Sequence, residues 1–218
     1  MKFKGVIFDF NGTLFYDTPF HNTAWQRMVK ELTNTDLDDD LRVKMHGKNN
    51  RDILHCINKN ISDEDIISYS KRKEAIYRDI CLENPDKLHL VNGAIELFNY
   101  LKEHNIPFTI ASASIKENID FFVESFNLDK WIDPEMIIYD DGSYSNKVNM
   151  FKDAAQKLKH NVKDILVFED SFSGIANAYK AGIEKIVVIC PQEKESEYRD
   201  LPGVIMTIQD FSDFNKLI

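Results

Sequence analysis

Four short apolar runs limit the fold of this chain more than any other feature of its sequence. Each has about the length of one strand, is rich in β-branched or aromatic residues, and lacks the strict alternation expected of a half-exposed strand. Such runs are typical of strands that are buried on both faces of a parallel sheet. The runs are GVIFDF (5–10), PFTIASAS (107–114), DILVFEDS (164–171) and IVVICP (186–191).

Apolar residues recur at helical spacing in two segments between the later runs. Strands that alternate with helices form α/β folds, in which right-handed crossovers join parallel strands. The chain is therefore predicted to be α/β. The two predicted helical faces comprise Val148, Phe151, Ala155 and Leu158 in one segment, and Ile175, Ala178 and Tyr179 in the other.

The segment between Leu14 and about Leu90 lacks such a run and is predicted to be a helical bundle inserted after the first strand. Apolar residues recur there at every fourth position, as Phe20, Ala24, Met28 and Leu32. Asp17 or Thr18 would cap this first helix, with Pro19 in its first turn. Further helices are predicted at DDDLRVKMH (38–46), NRDILHCI (50–57) and DEDIISYSKRKEAIYRDICL (63–82), and a turn at Asn84-Pro85-Asp86.

The charge balance argues against a nucleic-acid-binding protein. The chain has 27 Lys and Arg residues against 36 Asp and Glu residues, a formal net charge of −9, whereas nucleic-acid binding favours a basic surface. No run approaches the ~18 apolar residues of a membrane span, and the first residues lack the cleavage site of a signal peptide. The three cysteines show no zinc spacing. We therefore expect a cytoplasmic protein with reduced thiols, without membrane partners, and a monomer.

Three of the four apolar runs end in compact polar clusters. In an open parallel sheet, ligands bind outside the carboxyl ends of the strands, so these clusters mark a candidate site. Lys147 comes just before a helical segment, and a lysine at a helix start opposes the helix dipole unless an anion lies beside it. The clusters are Asp9 and Asn11; Ser112, Ala113 and Ser114; and Glu169, Asp170 and Ser171.

Carboxylates that face one another repel unless a cation joins them. Asp9 and Asp170, with backbone carbonyls and waters, suit Mg²⁺, which is typically bound by one or two carboxylates together with phosphate oxygens. A carboxylate nucleophile, a divalent ion, a hydroxyl and Lys147 around one anionic group suit phosphoryl transfer, which is chiefly positioning and charge stabilisation. An aspartate nucleophile would react through a covalent aspartyl-phosphate.

With these motifs the sequence resembles the haloacid dehalogenase superfamily, in particular its β-phosphoglucomutase-like phosphatases and phosphomutases with a helical cap. FDFNGTL (8–14) is similar to the first motif of that family, IASAS (110–114) to the second, Lys147 to the third and VFEDSFSGIANAYKAG (167–182) to the fourth. HNTAW (21–25) and HGKNNRDIL (46–54) resemble cap helices. The resemblance implies a Rossmann-like parallel-sheet core, residues 1–15 and 89–218, with an all-helical cap domain, residues 16–88, inserted after the first strand.

The resemblance also implies a role for each candidate residue. It predicts an Mg²⁺-dependent hydrolase whose substrate is a small phosphorylated metabolite such as a sugar phosphate. Asp9 would be the nucleophile, and Asn11 would contribute its main-chain carbonyl to the metal. The catalytic positions carried over are Asp9, Asn11 and Lys147; the phosphate-binding ones Ser112, Ala113 and Lys147; the substrate-binding ones His21, Lys48 and Arg51; and the metal-binding ones Asp9, Asn11, Glu169 and Asp170.

Asn11 departs from the family pattern, because phosphatases and mutases of the family carry Asp at this position. That Asp protonates the leaving oxygen and later activates water or a sugar hydroxyl. An amide keeps the shape but does not exchange a proton near neutral pH, and loss of general acid–base catalysis costs typically ~10²–10⁴-fold in rate. We therefore expect slow turnover of esters with poor leaving groups and normal turnover of those with good ones.

Three other functions stay open from the sequence. A phosphomutase would need a sugar bisphosphate activator. Phosphonate cleavage would need a cap lysine, for which Lys48 is the candidate, to form a Schiff base. A non-catalytic protein that binds a phosphorylated ligand would explain the missing acid at Asn11, although the retained nucleophile Asp9 argues against it.

Overall fold

The computed structural model describes residues 3–45 and 48–216. The chain divides into two compact units, of which one comprises the chain up to Tyr16 and from His89 onward, and the other comprises Asp17–Leu88. The strands are β1 Gly5–Phe8, β2 Phe108–Ile115, β3 Ile138–Asp140, β4 Ile165–Glu169, β5 Ile186–Ile189 and β6 Val204–Ile208. The helices are α1 Thr18–Thr33, α2 Asp39–Met45, α3 Asn50–Ile57, α4 Asp63–Glu83, α5 Ala94–Glu103, α6 Lys116–Phe126, α7 Lys147–Lys157, α8 Phe172–Lys180 and α9 Glu195–Tyr198.

Within the described residues the strands form one parallel sheet in the order β3-β2-β1-β4-β5-β6. β1 lies between β2 and β4, with Val6 opposite Phe108 on one side and Leu166 on the other. Every residue of β1, β4 and β5 is buried, as the apolar runs predicted. The strand order reverses between β1 and β4, and ligands bind at such switch points in open α/β sheets.

The predicted α/β fold is confirmed, and all four apolar runs contain strands. The sequence did not indicate β3 and β6, which lie at the two edges of the sheet. An edge strand contacts one neighbour only, and most of β6 is half-buried, so neither needs an apolar run buried on both faces. Along α8, Ile175 and Ala178 are buried as predicted, but Tyr179 is 45% exposed.

An aromatic cluster supports the ends of the two central strands. Phe8 and Phe168 are register partners on β1 and β4, and their rings stack with centroids 5.0 Å apart. Phe98 and Phe211 pack edge-on against Phe8 at 5.3 and 5.9 Å. Buried aromatic side chains contribute large apolar areas to a core, and pairs in these geometries add further stabilisation. Since Asp9 follows Phe8 directly, the cluster fixes the backbone from which it projects.

The inserted unit contains α1–α4 and, in its described residues, no strand. Helix α1 packs mainly against α4 and buries Phe20, Ala24 and Met28, as their four-residue spacing predicted. Asp17 is the N-cap residue, but its carboxylate makes no capping hydrogen bond, since it accepts one from the Tyr77 hydroxyl at 2.7 Å.

Two predictions for the inserted unit extend beyond what the structure describes. The helix predicted at 38–46 and the cap motif predicted at 46–54 include His46 and Gly47, which lie outside the described residues. That the unit acts as a cap domain stays a prediction. No helix in the ranges 3–45 and 48–216 is both long enough and apolar enough to cross a membrane.

Candidate active site

Parallel pairing of the central strands brings the predicted acidic residues together. The backbone N–H of Asp9 continues the ladder by donating to the carbonyl oxygen of Phe168 at 3.0 Å. Phe168 is followed by Glu169, the last residue of β4, and then by Asp170. The two strand ends therefore place Asp9 beside this acidic pair. Asp9 is 5% exposed and Glu169 is fully buried.

Lys147, the first residue of α7, links the two strand ends. Its Nζ donates to Asp9 Oδ1 and to Glu169 Oε1, both at 2.6 Å. Burial alone lowers the pKa of this ammonium group, but the charges of Asp9 and Glu169 outweigh it and raise the pKa above its ordinary value. Lys147 is therefore held as a cation at a helix N-terminus, where only anionic partners make a positive charge favourable.

A tight turn after Asp9 requires glycine. The carbonyl oxygen of Phe10 accepts from the backbone N–H groups of Thr13, Leu14 and Phe15, and Gly12 has a φ of 80°. A Cβ at Gly12 would lie 2.2 Å from Asp170 Oδ2. Glycine is needed both for the left-handed conformation and for the close approach of the Asp170 carboxylate.

Glu169 uses both of its carboxylate oxygens. Oε1 accepts from Lys147, whereas Oε2 accepts from the backbone N–H groups of Asp170 at 3.0 Å and Ser171 at 2.9 Å. The Ser171 hydroxyl donates to the same oxygen at 3.0 Å and also caps α8 by accepting from Gly174 N–H. Glu169 therefore acts as a buried anchor that positions Lys147 and the first turn of α8.

The acidic residues fit a hard divalent cation. Asp9, Glu169 and Asp170 can each offer one carboxylate oxygen within 4.8 Å of the others. Burial, reinforced by neighbouring carboxylates, raises the pKa of Asp9 to about 6 and that of Asp170 to about 8. A divalent cation would offset this repulsion, and an all-oxygen donor set suits Mg²⁺. Asp9 and Asp170 are the better candidate ligands, because Glu169 is already engaged.

Two serine hydroxyls of β2 hold the side chain of Asn11. Ser114 Oγ donates to Asn11 Oδ1 at 2.7 Å, and Ser112 Oγ donates to the same oxygen at 3.3 Å. Ser112 is fully buried, whereas Ala113 between the two serines is exposed. The structure thus brings the predicted phosphate-binding Ser112 next to the predicted acid–base position.

The predicted substrate residue His21 lies in a polar cluster of the inserted unit. Its Nε2 is 3.2 Å from Asp17 Oδ2, its Nδ1 is 2.7 Å from Lys73 Nζ, and its ring stacks on Tyr77 at 4.0 Å. A lysine ammonium group only donates hydrogen bonds, so Nδ1 accepts and Nε2 carries the proton toward Asp17. Lys73 is 2% exposed and also donates to Glu74 Oε1 at 2.9 Å.

The other two predicted substrate residues are exposed in the same unit. Arg51, in the first turn of α3, pairs with Asp63 at 2.6 Å, and Lys48 precedes that helix. Neither residue is among the described contacts of His21, which are Asp17, Lys73 and Tyr77.

Sequence reasoning missed several residues of these clusters. The Thr13 hydroxyl lies 3.5 Å from Asp9 Oδ2 and 3.4 Å from Asp170 Oδ1, and it is fully buried. Ser114 was noted only as part of a polar strand end. Lys73 falls within a long charged helix, where spacing alone does not mark one buried lysine. A signal existed for Thr13, because a polar residue beside a glycine turn and an acidic strand end is a candidate for that site.

Comparisons with known proteins agree on one family. A family model described as Haloacid dehalogenase-like hydrolase matches residues 6–188. A solved structure from Entamoeba histolytica is described as a HAD (haloacid dehalogenase) hydrolase, family IA, variant 3. It is 36% identical to this chain, covers 96% of this chain and 94% of that chain, and has a TM-score of 0.89.

Two further relatives have named activities. A phosphorylated carbohydrates phosphatase from Thermotoga maritima is 25% identical over 190 residues, which cover 84% of this chain and 83% of the relative. A solved β-phosphoglucomutase from Clostridium difficile is 19% identical to this chain and has a TM-score of 0.77. The match covers 99% of this chain and 95% of the β-phosphoglucomutase chain. At that identity the second likeness concerns the fold alone.

Proposed function

The chain belongs to the family of haloacid dehalogenase-like hydrolases, and we propose that it is an Mg²⁺-dependent phosphatase of small phosphorylated metabolites such as sugar phosphates. The observation that carries the proposal is the bridge from Lys147 to Asp9 and Glu169, with Asp170 beside it. A carboxylate next to a largely buried cation and an acidic cluster that suits a metal ion is the combination that phosphoryl transfer needs. The named activity of the Thermotoga maritima relative supports the substrate class.

Asp9 is the proposed nucleophile. One of its carboxylate oxygens attacks phosphorus while the bond from phosphorus to the leaving oxygen breaks, which leaves an aspartyl-phosphate. The Ser112 hydroxyl, the Ala113 amide N–H and Lys147 would hold the phosphoryl oxygens. Water then attacks phosphorus, releases inorganic phosphate and restores the Asp9 carboxylate. The charge of Lys147 favours the ionised form of Asp9 that the first step requires.

The metal site would complete this arrangement. Asp9, Asp170 and the main-chain carbonyl of Asn11 are the proposed ligands, with Glu169 supporting the site through Lys147. When bound, Mg²⁺ supplies positive charge to a phosphate oxygen and to the Asp9 carboxylate.

Asn11 limits the substrates that react quickly. Its amide neither gives a proton to the leaving oxygen nor takes one from water near neutral pH. We expect a loss of about 10²–10⁴-fold on esters whose leaving group must be protonated, relative to an aspartate at this position. For esters with good leaving groups, the rate of the first step is not reduced.

The inserted unit is the proposed source of substrate selectivity. His21, Lys48 and Arg51 supply an imidazole and two cations, which suit hydroxyl and phosphate groups of a sugar phosphate. We propose that the protein acts in the cytoplasm as a monomer.

The test compares phosphate release by the wild-type chain and by Asn11→Asp, with Mg²⁺, on an aryl phosphate and a panel of sugar phosphates. Asn11→Asp should gain about 10²–10⁴-fold on the sugar phosphates and little on the aryl ester. Asp9→Asn in both backgrounds is the control for release by contaminants, and a chelator should abolish release until Mg²⁺ is restored.

Other outcomes would overturn the proposal. Absence of release by both forms, although Mg²⁺ binds, would indicate a non-catalytic binding protein. Interconversion of sugar phosphates that depends on a sugar bisphosphate activator would indicate a phosphomutase. Equal rates on sugar and aryl phosphates by the wild-type chain would show that another acid acts, for which His21 is the candidate.

A further inference from the structure

The Thr13 hydroxyl is a buried donor beside two carboxylates. Thr13 is fully buried, and its Oγ1 lies 3.5 Å from Asp9 Oδ2 and 3.4 Å from Asp170 Oδ1. A buried hydroxyl is expected to donate its proton, and it has only one proton to donate. Both distances exceed the ~2.7–2.8 Å that is usual for an O–H···O bond, so the proton is shared weakly by two acceptors rather than committed to one.

The backbone holds Thr13 in this place. Its N–H donates to the carbonyl oxygen of Phe10 at 3.2 Å, in the same turn in which Gly12 has a φ of 80°. A Cβ at Gly12 would lie 2.2 Å from Asp170 Oδ2, so the Asp170 carboxylate lies directly against this turn. The threonine side chain is branched at Cβ, which restricts its rotation about χ1. The turn therefore sets the position of the hydroxyl.

The Asp9 carboxylate has unlike partners at its two oxygens. Oδ1 accepts from Lys147 Nζ at 2.6 Å, whereas Oδ2 faces the Thr13 hydroxyl. The last torsion of an aspartate side chain has broad, roughly two-fold preferences, so the carboxylate rotates readily. The two partners therefore influence which oxygen lies on the side of Lys147 and which lies on the side of Asp170.

We propose that Thr13 is a positioning residue of the metal site, whose hydroxyl keeps the carboxylates of Asp9 and Asp170 in the arrangement that binds a divalent cation. The inference rests on the Mg²⁺ site of the proposed phosphatase function. Each of the two carboxylates can offer one oxygen within 4.8 Å of the other. Ligands that are already arranged before the cation arrives need less reorganisation when it binds.

Loss of this hydroxyl should weaken Mg²⁺ binding. Asp9 and Asp170 repel each other in the metal-free protein, because buried charges are poorly screened. Without the shared donor the two carboxylates relax apart, and Mg²⁺ binding must bring them back together. The cost of that return lowers the affinity by an amount comparable to one hydrogen bond, which corresponds to about three- to tenfold.

The experiment titrates Mg²⁺ into the metal-free chain by calorimetry and compares Thr13→Val with Thr13→Ser. Valine keeps the branched shape without a donor, so Thr13→Val should raise the Kd for Mg²⁺ about three- to tenfold. Serine keeps the donor without the methyl group, so the Kd of Thr13→Ser should stay close to that of the wild-type chain. Thr13→Ser should instead unfold at a lower urea concentration, because a buried methyl group is lost.

Thr109→Val is the matched control. Thr109 is fully buried in β2, and its hydroxyl donates to the carbonyl oxygen of Met136 at 2.8 Å, away from the acidic cluster. This replacement also removes one hydrogen bond of a buried threonine, so it should lower the urea midpoint and leave the Kd for Mg²⁺ unchanged. It separates an effect on the metal site from a general loosening of the core.

Phosphate release from an aryl phosphate provides a second readout. In Thr13→Val the Mg²⁺ concentration that gives half the maximal rate should rise by the same factor as the Kd. The kcat at saturating Mg²⁺ should stay near that of the wild-type chain, because both carboxylates are then held by the cation. A large loss of kcat that saturating Mg²⁺ does not restore would overturn the role stated here.

The outcomes separate this inference from the proposed function. If Thr13→Val binds Mg²⁺ as tightly as the wild-type chain, the positioning role is wrong and the phosphatase function stands. If the Mg²⁺ affinities change as expected but no form releases phosphate, Asn11→Asp included, the positioning role stands and the phosphatase function is wrong. Absence of Mg²⁺ binding by the wild-type chain would overturn both.

Discussion

Replacement of Gly174 by alanine should destabilise the protein, although helix propensity alone predicts the opposite. Gly174 lies in the first turn of α8, and a Cβ there would lie 1.8 Å from Glu169 Oε1 and 2.0 Å from its carboxyl carbon. Ordinary contact begins at 3.4 Å, so Glu169 must retreat by 3.4 − 1.8 = 1.6 Å. That displacement exceeds what a 2.6 Å hydrogen bond to Lys147 tolerates.

The expected loss follows from the bonds that Glu169 makes. The shift breaks the bond to Lys147 and disturbs those that Oε2 accepts from the backbone N–H groups of Asp170 and Ser171. A hydrogen bond to a charged group contributes about 1.5–3 kcal/mol, so loss of two of these three bonds costs roughly 3–6 kcal/mol. The gain from Gly to Ala in a helix is about 1 kcal/mol. The net decrease in the free energy of unfolding is therefore roughly 2–5 kcal/mol.

The assay is urea unfolding of Gly174→Ala beside Ser173→Ala. Ser173 is the exposed neighbouring position of the same helix, and its replacement should change the free energy of unfolding by at most about 0.5 kcal/mol. Phosphate release by Gly174→Ala should also fall, because Lys147 loses one of its two partners. Shortening Glu169 to Asp in the Gly174→Ala background should recover part of the stability. If Gly174→Ala is as stable as the wild-type chain, the carboxylate of Glu169 is not confined as described.

Three further predictions concern the proposed nucleophile Asp9, the buried Glu74 of the inserted unit and the amide of Asn11. Asp9→Asn should lower phosphate release on every ester by about 10⁴-fold or more, and a smaller loss in a steady-state assay would argue for another nucleophile. Burial alone would raise the pKa of Glu74. The neighbouring groups, chiefly the charge of Lys73, outweigh burial and lower the pKa from 4.5 to about 2. The stability that Glu74 contributes is therefore complete above pH 4.5 and is lost as the pH falls toward 2. Between pH 5 and pH 3 the wild-type chain should lose about 2 kcal/mol more unfolding free energy than Glu74→Gln, and equal losses in urea titrations would contradict this. Asn11 precedes Gly12, a pair that deamidates readily in flexible chains, but the Gly12 N–H that must attack is bonded at 2.8 Å to a backbone carbonyl. Peptide mapping should show deamidation at least about tenfold slower in the native protein than in urea, and equal rates would show that the turn opens.

The sequence predicted the central part of the fold because burial on both faces restricts composition. A strand such as β4 must be apolar on both sides, and it is recognisable as a run. Edge strands are not restricted in this way, so β3 and β6 were not indicated. The helices of the inserted unit were predicted because the spacing of apolar residues is local, as in Phe20, Ala24 and Met28 of α1.

The candidate site was predictable in its residues but not in its contacts. Asp9, Glu169 and Asp170 were indicated because ligand sites of parallel sheets lie at strand ends, a rule of topology. Which of them Lys147 touches depends on the register of β1 against β4 and on where α7 begins. Linear sequence does not contain that register.

By itself the sequence determined the α/β class, the helical insertion and the acidic strand ends, since each depends on local composition or spacing. Only the tertiary structure decided that Lys147 joins Asp9 to Glu169 across 138 and 22 residues of chain, and that Ser114 holds the amide of Asn11. These contacts join residues on different elements, and side chains distant in sequence meet only where packing and strand register bring their backbones together.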